Sequence, residues 1–154
     1  MITSTDSNSQ MWQDLTERLW LQMKQRGAVA VSGPQIGRDI PVIVIASGDV
    51  LYEPTIVDMS EDAIELEETD IRYPGAVVKR WRAPWIRVRY TDLRTGEVVT
   101  NKFVGMTARL VQQHMDIING VNFFEGLSSF HREKIEKQMK KVARIRKAVK
   151  RLGR

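Results

Sequence analysis

The segment QQHMDIING, residues 112–120, combines the residue types of an acid–base site with the pattern of a helix. It contains His114, one of only two histidines in the chain, and Asp116 two positions later. A histidine beside a carboxylate is the minimal general base. However, the chain has no cysteine, and the sequence places no serine nucleophile to use that base. We therefore expect His114 to be a hydrogen-bonded histidine in a disused cavity, with Asp70 or Asp116 as its partner.

The periodicity around this segment predicts the elements that position it. Apolar residues at helical spacing predict helices over residues 10–26, from about Gly105 to Asn119-Gly120, and from Ser128 or Ser129 onward. Between the first two helices, short β-branched runs predict several strands, and LRTGE (93–97) predicts a hairpin. The order helix, antiparallel strands, helix, helix is α+β. We expect residues 1–10 to be a disordered lead-in, 11–127 the main domain and 128–154 a basic helix.

The composition is that of a globular chain without a membrane segment. With 154 residues, 42% of them hydrophobic and 28% charged, one domain can bury a core without disulfides. The sequence contains no apolar run near the roughly 20 residues needed to cross a bilayer. Its first ten residues contain neither Lys nor Arg, unlike a signal or transit peptide. We expect a cytoplasmic protein with no membrane partner.

The charge is concentrated at the C-terminus. From Arg132 to Arg154 there are eleven basic and two acidic residues, a net charge of +9, whereas the whole chain carries +5 and the rest therefore −4. Such asymmetry favours an anionic partner. The candidate partner-binding residues are Lys137, Lys140, Lys141, Arg144, Arg146, Lys147, Lys150 and Arg151.

Three segments, in the right order, resemble motifs of the peptide deformylases, which remove the formyl group from nascent N-formylmethionine. AVAVSGPQIG (28–37) resembles glycine-x-glycine-leucine-alanine-alanine-proline-glutamine. LEETDIRYP (66–74) falls where the family has glutamate-glycine-cysteine-leucine-serine and a proline, and VQQHMDIINGVNFF (111–124) where it has glutamine-histidine-glutamate-x-aspartate-histidine-leucine-x-glycine. The resemblance implies a peptide-deformylase-like fold, with antiparallel strands around a central helix and a long C-terminal helix.

The resemblance also implies a divalent metal held by one cysteine and two histidines, and this chain departs from that set at every position. The cysteine position is Asp70, the histidine positions are Gln113 and Ile117, and the general-base glutamate falls at His114. Isoleucine has no donor atom, and one carboxylate with one amide is a poor site for a transition metal. Gln35 matches the family's oxyanion-holding glutamine, but without the metal we expect it to serve the turn. We thus expect these five degenerate positions to hold no metal or other cofactor and to supply no catalytic residue.

Two further departures concern the cleft in which the family binds its substrate. The glycines of the first motif are Ala28 and Ala30, which puts in doubt the close approach of a peptide to this strand. In the second motif Arg72 and Tyr73 replace small residues, and such bulk could fill the cleft; the sequence leaves open whether it does.

These observations favour a peptide-deformylase-like protein that has lost its metal and activity and binds through its basic helix. The family's C-terminal helix binds the ribosome near the exit tunnel, so the resemblance implies a ribosome or another RNA-rich assembly as partner. A second cluster of Trp81, Arg82, Trp85, Arg87 and Arg89 is expected on a strand pair. One alternative is a structural subunit of a virus particle or organellar complex, held by other protein subunits. Another is an active deformylase with an atypical centre, and the oligomeric state is open.

Overall fold

The computed structural model describes residues 3–153, with side chains from Gln10 onward. Its elements are three helices, seven strands and a 3-10 turn, in the order α1 (Thr3–Arg26), β1 (Ala30–Ser32), the 3-10 turn (Gly33–Ile36), β2 (Val42–Ile45), β3 (Val50–Met59), β4 (Ile64–Glu68), β5 (Val78–Arg82), β6 (Trp85–Asp92), β7 (Glu97–Val104), α2 (Gly105–Ile118) and α3 (Ser129–Leu152). The α+β class predicted from the sequence is confirmed.

The strands form two antiparallel sheets. The larger has the order β1-β2-β3-β6-β7, and β4 and β5 form the smaller one. The predicted hairpin joins β6 to β7, with Thr91 opposite Val98 and Asp92 opposite Glu97. At its turn, Gly96 adopts a φ of 78°, which glycine reaches without steric cost.

Strand β2 explains why helices cover both faces of the sheet. All four of its residues are buried. Since alternate side chains point to opposite faces, both faces of the sheet must be covered. Ile43 and Ile45 join a core that includes Val111 of α2. Val42 and Val44 join a second core built on α1. The segment carrying His114 is therefore held on one face of the sheet, and α1 on the other.

The start of α1 differs from the sequence prediction. The helix begins at Thr3, so the disordered lead-in predicted for residues 1–10 is wrong from Thr3 onward; Met1 and Ile2 lie outside the described residues. The stretch contains no glycine or proline, and extending an existing helix costs less than starting one. The existing helix is fixed by Leu15, Leu19 and Met23, which are buried in the second core.

The ends of α2 and α3 agree with the sequence prediction. Helix α2 ends at Ile118, followed by Gly120 with a φ of 77°. Helix α3 has Ser128 as its N-cap, whose side-chain oxygen accepts from the backbone N–H of His131. A serine at this position satisfies one of the free N–H groups at a helix start.

Candidate functional site

A cleft of about 660 Å³ lies between β1, the chain around Leu66–Thr69 and helix α2. Its lining includes Gln35, Gln113 and His114. Strand β1 is the edge of the larger sheet, so one wall of the cleft is a strand edge. Arg72 and Tyr73, whose bulk the sequence left as able to fill the cleft, do not do so, since neither lines it. Arg72 folds back onto Asp70, and Tyr73 packs against Phe123 and Phe124.

Asp70, at the cysteine position of the family motif, is buried and fully hydrogen-bonded. Nη2 of Arg72 donates to Oδ2 at 2.7 Å, and Nε and the backbone N of Arg72 donate to Oδ1 at 3.2 and 2.9 Å. Nε2 of Gln35 also donates to Oδ1, at 3.1 Å. Burial raises the pKa of Asp70, but the hydrogen bonds and charge of Arg72 and the bond from Gln35 hold it below the usual range. Asp70 is therefore a paired carboxylate at neutral pH.

Gln35 is held in place from both ends of its amide. Its Oε1 accepts from the backbone N of Ser32 at 3.1 Å, while its Nε2 donates to Oδ1 of Asp70. It lies in the 3-10 turn that ends at Gly37, whose φ is 78°. The side chain thus links this turn to the Asp70 segment.

The two histidine positions supply no ligand pair. Nε2 of Gln113 donates to the backbone O of Thr69 at 2.6 Å. Ile117 is buried and has no donor atom. Among the side chains that the structure describes, no cluster of three or more His, Asp or Glu is suited to hold a metal. The residues at these positions do not fit a divalent metal, because the one carboxylate is already paired with a guanidinium.

His114 has a partner that the sequence analysis did not name. Its Nδ1 lies 3.1 Å from Oγ of Ser32, and both residues are buried. The prediction of Asp70 or Asp116 as hydrogen-bond partner is therefore wrong. Burial lowers the pKa of His114 to about 4; Asp70 raises it, whereas Arg72 and Arg82 lower it further. The imidazole is neutral at pH 7 and so has the protonation state of a base.

The Ser32–His114 pair has the composition of a nucleophile and its base but not the access. Ser32 has 0% of its surface exposed, and it is absent from the described residues that line the cleft. A serine nucleophile has to reach the substrate carbonyl as well as its base. In this arrangement the pair joins β1 to α2.

A buried ion network next to this site was also missed. Arg82 donates from Nε and Nη2 to the carboxylate of Glu68 at 2.8 and 2.9 Å, and from Nη1 to Asp116. Arg109 lies 3.5 Å from the same Glu68 carboxylate. Glu68 aligns with the glutamate of the family's second motif, which was the available signal in the sequence. The network joins β4, β5 and α2, and two of its members, Glu68 and Arg109, line the cleft.

The predicted second basic cluster is divided between the two sheets. Trp81 and Arg82 lie on β5, whereas Trp85, Arg87 and Arg89 lie on β6, and these strands belong to different sheets. Arg82 is committed to the ion network. The expectation of one basic and aromatic surface on a strand pair is therefore wrong.

The C-terminal helix packs on the domain through residues from Ile135 to Val142. Ile135 is buried together with Ala76, Val78 and Phe123. Further along, Ile145, Val149 and Leu152 are exposed. These three apolar residues recur at helical spacing and form an uncovered stripe. All eight candidate partner-binding residues are exposed: Lys137, Lys140, Lys141, Arg144, Arg146, Lys147, Lys150 and Arg151.

No helix of the described chain has the length and apolar character of a membrane span.

Comparisons with known proteins bear on the fold and the family. A family model described as polypeptide deformylase matches residues 2–133. The chain is 30% identical over 135 residues to a Brucella melitensis protein named peptide deformylase-like, covering 84% of this chain and 82% of that protein. It is 27% identical over 152 residues to a peptide deformylase of Salinibacter ruber, covering 88% and 77%. A solved peptide deformylase from Legionella pneumophila superposes with a TM-score of 0.79 at 27% identity, covering 87% and 82%. The fold implied by the sequence motifs is confirmed.

Proposed function

The chain belongs to the polypeptide deformylase family, and we propose that it has given up metal-dependent hydrolysis and acts in the cytoplasm as a binding protein. Its basic C-terminal helix is the proposed contact surface. The proposed partner is a ribosome or another RNA-rich assembly.

The main support for the proposed loss of activity is the ion pair between Asp70 and Arg72. Asp70 is the one anionic side chain among the three former ligand positions, and Arg72 binds both of its carboxylate oxygens. A divalent cation beside this guanidinium would suffer like-charge repulsion and would have to break the existing hydrogen bonds. Deformylase chemistry needs that cation, because it lowers the pKa of the water that attacks the formyl group.

The first experiment measures metal content and formate release. Protein purified without chelator should contain far less than one transition metal per chain and should release no formate from a formyl-methionyl peptide. A restored variant carrying Asp70→Cys, Arg72→Ser, Gln113→His, His114→Glu and Ile117→His is the matched test of the scaffold. It should gain about one metal per chain, because it then carries the family's set of one cysteine and two histidines together with the general-base glutamate.

The wild-type result decides between the proposal and the alternative of an active enzyme with an atypical centre. Stoichiometric metal in the wild-type protein, or formate release that His114→Ala abolishes, would contradict the proposal. A restored variant that folds and binds metal would show that the residues at these five positions account for the loss of metal binding.

The helix supports the binding role by its charge and its exposure. Its eight basic candidate residues are exposed, and the helix is anchored in the domain through Ile135 and through Val142, which lies against Gly75. The basic residues beyond Val142 therefore lie on a helix whose position is fixed by the domain. Neutralising nucleic acid phosphates releases counterions, which makes such binding fall steeply with salt.

A charge-reversal pair tests the helix. Lys147→Glu/Lys150→Glu/Arg151→Glu changes the exposed half of α3, and Arg18→Glu/Arg87→Glu/Arg89→Glu makes the same change in net charge on the exposed body. Co-sedimentation with bacterial ribosomes would be measured from about 50 to about 300 mM salt.

The helix variant should lose most binding, and the logarithmic salt slope should fall by roughly 0.7 to 0.9 for each phosphate contact removed. The body variant should bind like the wild type. Equal losses in both variants would show that net charge alone drives the association. Salt-resistant association with defined protein subunits, without RNA, would favour the alternative of a structural subunit.

A further inference from the structure

A second cavity lies between α1 and the β6–β7 turn, well separated from the cleft. Its volume is about 730 Å³, larger than the cleft, and it shares no lining residue with it. The cavity opens beside the second hydrophobic core, and neither the metal positions nor the C-terminal helix contribute to it. It therefore requires an explanation other than the family reaction.

Three aromatic rings line this cavity. Trp12 and Trp20 come from α1 and Tyr52 from β3, and all three are half-buried. The rings of Trp12 and Tyr52 are 4.6 Å apart between centroids and are tilted by 56°. The faces of such rings carry negative charge density and attract cations, and quaternary ammonium groups are bound in aromatic cages of this composition.

The charged groups around the cavity are mostly acidic. Glu17 stands at its rim. Burial and the neighbouring carboxylate of Glu53 raise the pKa of Tyr52, so its hydroxyl stays protonated at neutral pH. Arg94 is the one basic side chain in the described lining, but its Nη2 lies 3.1 Å from Asp92 and 3.5 Å from Asp49.

The guanidinium of Arg94 is thus already paired with the carboxylate of Asp92, which offsets its charge. Glu17 is the one carboxylate in the described lining, and Glu53 lies outside that lining, beside Tyr52. The combination of aromatic walls with the charge of Glu17 favours cations over anions and over neutral apolar molecules.

We propose that the cavity between α1 and the β6–β7 turn binds a small organic cation of the quaternary or methylated ammonium class. The aromatic rings of Trp12, Trp20 and Tyr52 contact the alkylated nitrogen. Glu17 supplies long-range attraction from the rim.

The four tryptophans of the chain allow a direct test. In a nitrogen-15-labelled sample, each indole N–H gives one NMR signal; Trp12 and Trp20 line the cavity, while Trp81 and Trp85 do not. Choline serves as the probe, and its uncharged isostere 3,3-dimethyl-1-butanol as the matched control of the same shape. Glu17→Gln removes a charge from an exposed position and leaves the fold intact.

Choline should shift the signals of Trp12 and Trp20 saturably, and those of Trp81 and Trp85 should stay in place. The neutral isostere should bind at least about tenfold more weakly, and Glu17→Gln should weaken choline binding about threefold. Equal binding of choline and its isostere would overturn the proposed ligand class. Absence of any shift up to about 100 mM choline would overturn the site itself.

Discussion

Replacing Arg72 by alanine tests whether Asp70 is held by an ion pair. The side chain of Asp70 is 0% exposed and that of Arg72 27% exposed, with 2.7 Å between Nη2 and Oδ2. Removing one member of a buried pair costs about 3–5 kcal/mol, because an unpaired charge stays behind. Asp70 keeps the bond from Gln35 and that from the backbone N of residue 72. We therefore expect Arg72→Ala to lower the free energy of unfolding by about 2 kcal/mol at pH 7.

The cost should depend on pH in a direction set by Asp70. In the wild type the pKa of Asp70 is lowered, so its contribution to stability is present above the unfolded pKa and is lost as pH falls through the folded value. Without Arg72 burial acts with less opposition, and the folded pKa should rise above the unfolded one. The difference between variant and wild type should then be largest at neutral pH and shrink toward about pH 4.

Urea unfolding at several pH values measures both effects. Arg72→Ala/Asp70→Asn removes the charge as well as its partner and should be more stable at pH 7 than Arg72→Ala alone. Arg132→Ala is the exposed control, since Arg132 and Glu136 are each 57% exposed at 3.8 Å, and it should cost less than about 1 kcal/mol. A cost of Arg72→Ala below about 0.5 kcal/mol with no pH dependence would refute the ion-pair account.

Two other predictions concern the protonation of His114 and the packing of α3 against Gly75. An NMR titration should show His114 protonating only near pH 4, because burial lowers its pKa to about 4; a midpoint near 6.5 would mean that the ring is solvated. Since the unfolded chain takes up that proton first, stability should fall by up to about 3 kcal/mol as pH drops from about 6.5 to about 4, and His114→Gln should remove this loss. Gly75→Ala should destabilise the fold by about 2 kcal/mol and speed amide exchange in α3, because Gly75 has a φ of 87° and the added Cβ would lie 2.7 Å from Cγ2 of Val142. Gly120→Ala is its control, with a φ of 77° and nothing within 4 Å of the added atom, and it should cost only about 1 kcal/mol; an equal cost for both would exclude the clash with Val142.

Features set by neighbouring residues were predictable from the sequence. The hairpin turn at Gly96, the serine cap of α3 and the end of α2 before Gly120 all depend on a few adjacent residues, and all three lie where predicted. The start of α1 was not predictable, because a polar segment has no apolar pattern to indicate where it joins the helix. Local sequence signals thus predicted the hairpin turn, the start of α3 and the end of α2, but not the start of α1.

Contacts between distant segments were not predictable in the same way. Ser32 and His114 are 82 positions apart, and nothing in either local pattern indicates that they meet. The direction of Arg72 was open for a different reason, since its partner is close in the sequence. A large side chain in the second motif could have filled the cleft, but its guanidinium reaches back two positions to Asp70. Electrostatic pairing, which the pattern of residue sizes does not contain, decided its direction.

The changes at Asp70 and Arg72 are best understood together. A buried carboxylate without a cation costs several kcal/mol, so Asp70 at a former ligand position needs either a metal or a basic side chain. Arg72 supplies that charge from within the chain, and its hydrogen bonds hold the pKa of Asp70 low. An arginine is permanently charged and competes with any ion for the same oxygens. A variant that restores the three ligands but keeps Arg72 should therefore bind metal more weakly than one that also carries Arg72→Ser.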